Sequence, residues 1–345
     1  MKRVGYLFEQ ISSFGNLHAA YIKAMRGSGK TEEACRFTFH LEQELLQLKR
    51  ELENRVYHPA AYRYFQIHDP KERTISVAPF RDRVVHHALI RVIEPVFEKS
   101  FIFDSYATRK GKGSHAAVKR AQVFLRKNAW YLKMDMEKYF DSIDHAILLR
   151  LIGRKIKDQA VMELTTRIVA NSDQSRGLAA GKGLPIGNLT SQFFANVYLD
   201  PLDHFVKDNL GIKGYVRYMD DVVIFSESKN ELKTVLSAVT AKIAEGLQLR
   251  LKDKATFLNT PLHGLPFLGF RIFPEMLRIK RENIKRFQKG FDAKVAAWQK
   301  GRISEEDLAA SVQSMYAYLG FANNYQGGRA GSILSRAPCW FNHAD

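Results

Sequence analysis

Apolar and polar residues follow two rhythms along this chain, and the changes of rhythm mark its elements. Leu41, Leu45, Leu48 and Leu52 recur at helical spacing among charged residues, so residues 1–58 are expected to be helical. From Tyr62 to Phe80 the period shortens to two, with Tyr62, Tyr64, Gln66 and His68 alternating against Arg63, Phe65 and Ile67. The turn Asp69-Pro-Lys-Glu-Arg73 then leads into a second strand over 74–77. A helix is expected from Arg81, with Val84, Val85, Leu89 and Val92 or Ile93 on its apolar face. Trp130 to Met134 reads as a buried strand, followed by a helix starting near Ser142 and running through Leu149 and Leu151. Residues 153–185 suggest a helix and then a polar loop over 171–177, and Leu189, Phe193 and Val197 mark one side of the next helix. Two β-rich runs within Gly214–Phe225 predict a tight hairpin with Asp220 and Asp221 at its tip. A helix over 229–246, a lysine-bearing strand ending at Phe257 and a short hairpin over 265–272 follow. Basic helices are expected from Arg278 and from Ser304.

Composition narrows the partner. The 345 residues carry 53 Lys and Arg against 36 Asp and Glu, a net charge of +17, which points to a polyanion. Nucleic acid is the stronger reading over a membrane surface, because no run of about 18 apolar residues and no apolar leader core exists. An apolar share of 46% with 12% aromatics excludes general disorder. Cys35 and Cys339 fit no zinc spacing and imply reduced thiols in the cytoplasm.

Several motifs reduce to structure. Gly27-Ser-Gly-Lys-Thr31 imitates the end of a phosphate-binding loop, but the pattern needs Gly where Ala24 stands, so an interhelical loop is expected. His86 and His87, adjacent on one helix, cannot face one ligand and are expected to pack or hydrogen-bond. Asn188-Leu-Thr190 matches a glycosylation pattern that has no meaning in a cytoplasmic chain.

The acids of the hairpin do not reduce so easily. Asp is a common turn residue, but Met219 is not, and apolar strands run right up to two adjacent carboxylates. Such repulsion is relieved by a divalent cation, and Mg²⁺ prefers carboxylate oxygens. Adjacent strand residues face opposite ways, so a third carboxylate is needed, and Asp135 at the end of a buried strand supplies it. Asp141 and Asp144 read as helix-start acids. Lys71 and Arg73 lie where a phosphate could reach them, and Arg109, Lys110 and Lys112 of a Gly-broken loop suit a phosphate backbone or equally a solvated basic loop. Gly181-Lys-Gly-Leu-Pro-Ile-Gly187 permits close approach of a ligand to the backbone. Acids borne on a sheet amid a basic surface suit two-metal phosphoryl transfer.

In order along the chain, these stretches resemble the blocks of the reverse transcriptases. Tyr218-Met-Asp-Asp221 resembles their signature hairpin, Arg73 and Arg81–Val85 the first fingers block, and Ser105–Ala117 the second. Asp135–Phe140 resembles the first palm block, Leu184–Gln192 the template-and-nucleotide block, and Phe267-Leu-Gly-Phe270 the primer grip. The resemblance implies an α+β right-hand polymerase. Its parts would be an N-terminal helical extension (1–60), fingers (61–130), a palm with an antiparallel sheet (131–262, with about 153–185 packing on the fingers), and a primer-grip hairpin with helical thumb (263–345). It further implies that Asp135, Asp220, Asp221 and the Met136 carbonyl bind two Mg²⁺ (or Mn²⁺), that Arg73 and Lys71 hold the triphosphate, and that Lys254 protonates pyrophosphate. Phe140 would exclude a 2′-hydroxyl, while Ile186, Gly187 and Gln192 would line the nascent base pair. Each role has a plainer rival: Phe140 as core, Lys254 as one solvated lysine among many.

Ile186-Gly187 and Ser191-Gln192 depart from the Gln-Gly and Ser-Pro of many reverse transcriptases. That variant is similar to the enzymes of diversity-generating retroelements, which misincorporate opposite template adenine. It implies a bacterial or phage-encoded, error-prone enzyme acting on template RNA, cDNA and dNTPs with a small accessory protein. An antiphage-defence reverse transcriptase and a catalytically silent RNA-binding protein are the alternatives.

Overall fold

The computed structural model describes residues 3–28, 31–68, 72–171 and 179–322. Its first layer is helical: α1 (Phe8–Ser12), α2 (Phe14–Met25), α3 (Glu32–Phe39) and α4 (Leu41–Glu53). Leu45, Leu48 and Leu52 form the buried side of α4, as their spacing predicts. Thr31 caps α3 by accepting from Ala34 N, while Gly29 and Lys30 of the expected interhelical loop lie outside the described residues.

A two-stranded hairpin follows, β1 (Arg63–Ile67) against β2 (Arg73–Val77), with Ile67 opposite Arg73. Residues 69–71 of its turn, and therefore Lys71, lie outside the described residues. The long helix α5 (Phe80–Glu98) is buckled to the N-terminal layer by the charges at its start. Arg81 pairs with Glu51 at 2.8 Å, and Asp82 accepts from Tyr57 Oη at 2.6 Å and from Ala60 N at 2.8 Å.

Next come α6 (Ser114–Leu125), β3 (Trp130–Met134), α7 (Tyr139–Ser142), α8 (His145–Gly153), α9 (Gln159–Ala170) and α10 (Leu189–His204). The helix expected near Ser142 starts instead at His145, because Asp144 caps it by accepting from Ile147 N at 3.0 Å. Arg167 of α9 donates to the carbonyls of Arg55 and Tyr57, which fastens α9 beside the extension. The hairpin strands β4 (Gly214–Tyr218) and β5 (Asp221–Ser226), then α11 (Lys229–Leu247) and β6 (Phe257–Asn259), complete the central region. The sheet order is β4-β5-β3-β6 and every pairing is antiparallel.

Strand alternation sends the two faces of this sheet into separate cores. Leu132, Met134, Val222 and Ile224 join a large core with α2, α4, α5, α8, α10 and α11. Tyr131, Val216, Val223 and Phe225 join a second core with α6 and the C-terminal elements. Those elements are β7 (Leu265–Phe267), β8 (Phe270–Ile272), β9 (Leu277–Ile279), α12 (Arg281–Gln299) and α13 (Glu305–Gly320). Two expectations change here. The basic helix expected from Arg278 begins at Arg281, because Leu277 and Ile279 point inward from a third strand with Arg278 between them. And α6, counted with the fingers by sequence, packs on β4, β5 and β8, so a boundary at residue 130 cuts through one core. Among the described residues no helix is long and apolar enough to cross a membrane.

His86 gives this scaffold a pH dependence. It is 2% exposed, its Nε2 has no hydrogen-bond partner, and burial lowers its pKa from 6.5 to about 3. The unfolded chain therefore binds a proton below pH 6.5 that the folded chain refuses, so stability falls with pH in that window. The expected loss from this residue is about 2 kcal/mol between pH 6.5 and 5. Urea titrations at both pH values should show His86→Met losing less stability on acidification than the wild type.

Candidate active site

Tyr218 pairs with Asp221, so the hairpin closes through a two-residue turn, Met219-Asp220. Asp221 thus opens β5, and Asp220 alone occupies the tip. Met219 has φ +54°, a left-handed conformation that costs a non-glycine residue about 1–2 kcal/mol. Its carbonyl accepts from Arg217 Nη1 at 3.2 Å. Met134 pairs with Val222, which brings Asp135, the next residue, level with Asp221 at the end of the sheet.

The three acids sit in different settings. Asp220 lies beside Asp135, and its pKa is raised first by burial and then by the charge of Asp135. Burial also raises the pKa of Asp221, and Lys133 opposes that shift. Lys133 lies two residues before Asp135 on the same strand face, and its Nζ stands 2.6 Å from Asp221 Oδ1. Lys280, at the start of α12, is near enough to both for burial and the charge of Lys133 to lower its pKa. Among the described residues no three acidic, imidazole or thiol groups converge into a ready cage. The chemistry of the donors still fits a hard divalent cation: Asp135 and Asp220 crowd like charges on carboxylate oxygens, which such an ion relieves. Asp221 would join them by exchanging Lys133 for the ion.

The surrounding loops are pinned by backbone. Lys252 N donates to Asp135 O at 2.8 Å, and Glu137 N donates to Arg250 O at 2.9 Å. Lys254 follows in the 3₁₀ turn Asp253–Ala255, exposed rather than within the strand expected there. Phe140 is half-buried at the margin of the large core and meets Tyr139 edge-on at 5.6 Å.

The glycine loop closes over β2. Ser76 N donates to Ile186 O at 2.8 Å, and Asn188 Nδ2 donates to Ser76 O at 3.1 Å. Gly187, at φ +110°, presses so close that a Cβ would lie 2.9 Å from Ile75 Cγ2 and 3.1 Å from Ser76 O. Glycine is required there on both counts. The half-buried Ile186 and Gln192 flank this junction, and Arg73 starts the strand that it clamps, with no ion-pair partner among the described residues.

Residues 67–272, more than half of the chain, match the family model described as reverse transcriptase (RNA-dependent DNA polymerase). The chain belongs to the reverse transcriptase family. Protein YkfC of Escherichia coli (strain K12) is 26% identical over 300 residues, covering 75% of this chain and 78% of that protein. The group II intron-encoded protein LtrA of Lactococcus lactis subsp. cremoris is 27% identical over 170 residues, 48% of this chain but only 28% of its own length. Apo telomerase from Candida tropicalis overlays with a TM-score of 0.51 at 12% identity, covering 67% of this chain and 50% of that one. The likeness to telomerase shows the fold, a right-hand polymerase of mixed helices and antiparallel sheet. The family match over 67–272 places the chain among RNA-directed DNA polymerases.

In this reverse transcriptase two of the residues expected to bind a nucleic-acid backbone are engaged within the chain. Arg109 is a structural arginine: its guanidinium grips both oxygens of Glu98 at 2.9–3.0 Å and donates to the carbonyls of Ile102 and Ser105. Lys112 donates to Phe103 O at 2.8 Å and lies 3.4 Å from the centre of the Phe103 ring. Lys110 stays exposed. Lys133, Asn188 and Arg217 escaped the sequence reading. For Lys133 a signal existed, namely its i, i+2 spacing from Asp135.

Two substitutions test this geometry. Lys133→Met should lower the melting temperature of the metal-free protein, because Asp221 loses its partner, and should enlarge the rise produced by added Mg²⁺; thermal melts with and without the ion measure both. Gly187→Ala should destabilise by about 1–3 kcal/mol in denaturant titrations, since φ and the Ile75 contact are both violated.

Proposed function

We propose that this chain copies an RNA template into cDNA by nucleotidyl transfer from dNTPs, and does so with low fidelity opposite template adenine. The observation that carries the catalytic half is the convergence of Asp135 and Asp220 at the sheet end with Asp221 level beside them. When bound there, two Mg²⁺ would lower the pKa of the attacking 3′-hydroxyl and neutralise charge on the leaving pyrophosphate. The protein's own contribution is positional. The hydrogen-bonded turn and the ladder of β3 with β5 hold the carboxylates at one height, and Arg73 offers a guanidinium to the triphosphate as a bidentate partner. Phe140 bounds the sugar side of the site and disfavours a 2′-hydroxyl, and the exposed ammonium of Lys254 supplies a proton to departing pyrophosphate. Lys71 belongs to the same proposal as a second triphosphate contact.

The fidelity half rests on Ile186. Its main chain is committed to Ser76 and its side chain is a hydrocarbon, whereas Gln at that place would offer an amide donor and acceptor to the nascent pair. Shape alone discriminates bases weakly. This feature favours a diversity-generating retroelement enzyme with an accessory protein, while the intron-encoded relatives favour a second reading in which the template is a self-associated structured RNA. Purifying the chain with its bound RNA, and sequencing both that RNA and the cDNA, separates the readings, a set or random cDNA pointing instead to the defence role.

Asp220→Asn should lower primer extension by at least about a thousandfold with folding and RNA binding retained, as scored on a labelled primer. Retention of activity would remove the catalytic assignment, and a wild type that binds RNA without incorporating any dNTP would revive the silent-scaffold alternative. Ile186→Gln should reduce misincorporation at template adenines severalfold in sequenced cDNA, and an unchanged error spectrum would sink the fidelity reading.

A further inference from the structure

We propose that Arg217 is a positioning residue for Asp220, fixing the backbone of the Met219-Asp220 turn and tying it to the loop over 104–108. This rests on the polymerase reading above. Arg217 lies on β4 and is fully buried. All five N–H donors of its guanidinium are engaged. Nε and Nη2 hold the two oxygens of Asp203 at 2.7 and 2.6 Å, and Nη2 also donates to Ser105 Oγ at 3.1 Å. Nη1 divides its protons between Asn196 Oδ1 at 3.0 Å and the carbonyl of Met219 at 3.2 Å.

The partners are themselves anchored. Asp203 accepts a third bond from Tyr215 Oη at 2.6 Å. Asn196 Nδ2 donates to Ala107 O at 2.7 Å and to Thr108 Oγ1 at 2.9 Å. The main chains are stitched as well: Arg217 N donates to Asp104 O and Tyr106 N donates to Arg217 O, both at 2.9 Å. One guanidinium therefore joins α10, the loop and the catalytic turn.

Stability alone is a poor reason for this arrangement, because hydrocarbon of equal volume often replaces a buried ion pair without loss. What hydrocarbon cannot do is aim a donor at the Met219 carbonyl. That carbonyl belongs to the peptide immediately preceding Asp220, in a residue whose φ is left-handed. Without the bond the turn is free to relax, and Asp220 moves relative to Asp135. A shift of about 1 Å at a reacting centre costs on the order of a hundredfold in rate.

The test uses the full chain in single-nucleotide incorporation on an RNA template with a DNA primer, beside Mn²⁺ titration followed by electron paramagnetic resonance. Arg217→Lys keeps the charge opposite Asp203 but cannot reproduce the fork. The expected result is a kcat lower by about thirtyfold or more, KM for dNTP and primer–template affinity within about threefold, and Mn²⁺ affinity weaker by about tenfold. A folded Arg217→Lys protein with wild-type kcat and Mn²⁺ affinity overturns the proposal. Asn196→Ser provides a gentler variant that leaves the Arg217–Asp203 pair intact. It should melt near the wild type yet lose kcat by about fivefold or more at unchanged KM; wild-type kcat there also overturns the proposal. If the wild type incorporates nothing on any RNA, the polymerase reading falls, and Mn²⁺ affinity alone then decides the positioning role: a tenfold loss supports it and no change ends it.

Discussion

Like charges forced together at the end of a buried sheet govern the centre of this molecule. Two carboxylates about 4 Å apart repel by roughly 4 kcal/mol at an effective dielectric of 20, and burial adds a desolvation cost to each. The fold tolerates this through local cations. Lys133 contacts Asp221 directly, Lys280 adds a second positive charge felt by Asp221, and the chain as a whole carries a net charge of +17. Those same cations suit a polyanionic template and a triphosphate. The demand for a counter-charge and the demand for a substrate are met by one distribution of lysine and arginine.

Rigidity around the acids comes from backbone rather than from side-chain contacts alone. Asp135 is fixed by its carbonyl to Lys252, Glu137 by its amide to Arg250, and the glycine loop by Ser76 to β2. These bonds join the first hairpin, the central sheet and the strand-bearing segment after α11 into one frame. The sheet's two faces reach separate cores, so the frame is packed from both sides.

Much of this was legible in the amino-acid order. Alternation over Tyr62–His68 located β1, runs of apolar, β-branched and aromatic residues located β3, β4 and β5, the leucine spacing located α4, and the strand before Asp135 brings that carboxylate level with Asp221. What stayed hidden shares one physical origin: the partner is remote in sequence or the element is too short to show a period. Arg109 resembles a phosphate ligand until Glu98 is seen beside it. Arg217 looks like one more charge in a strand, since Asp203 and Asn196 lie a helix away. In Leu277–Ile279 three residues cannot display alternation, and the neighbouring lysines and arginines suggested helix. Asn188 was hidden by a motif with an unrelated meaning, while its amide bonds β2.

The division of the sheet between two cores has a consequence for how the protein can be taken apart. Tyr131, Val216, Val223 and Phe225 have no cover of their own; α6, the strands β7–β9 and Leu308, Val312 and Leu319 of α13 supply it. A fragment ending at β6 would retain every carboxylate yet uncover part of the apolar wall that lies on the same sheet face as Asp135 and Asp221. The central sheet is therefore not a separable module, and among the described residues its cover extends through α13.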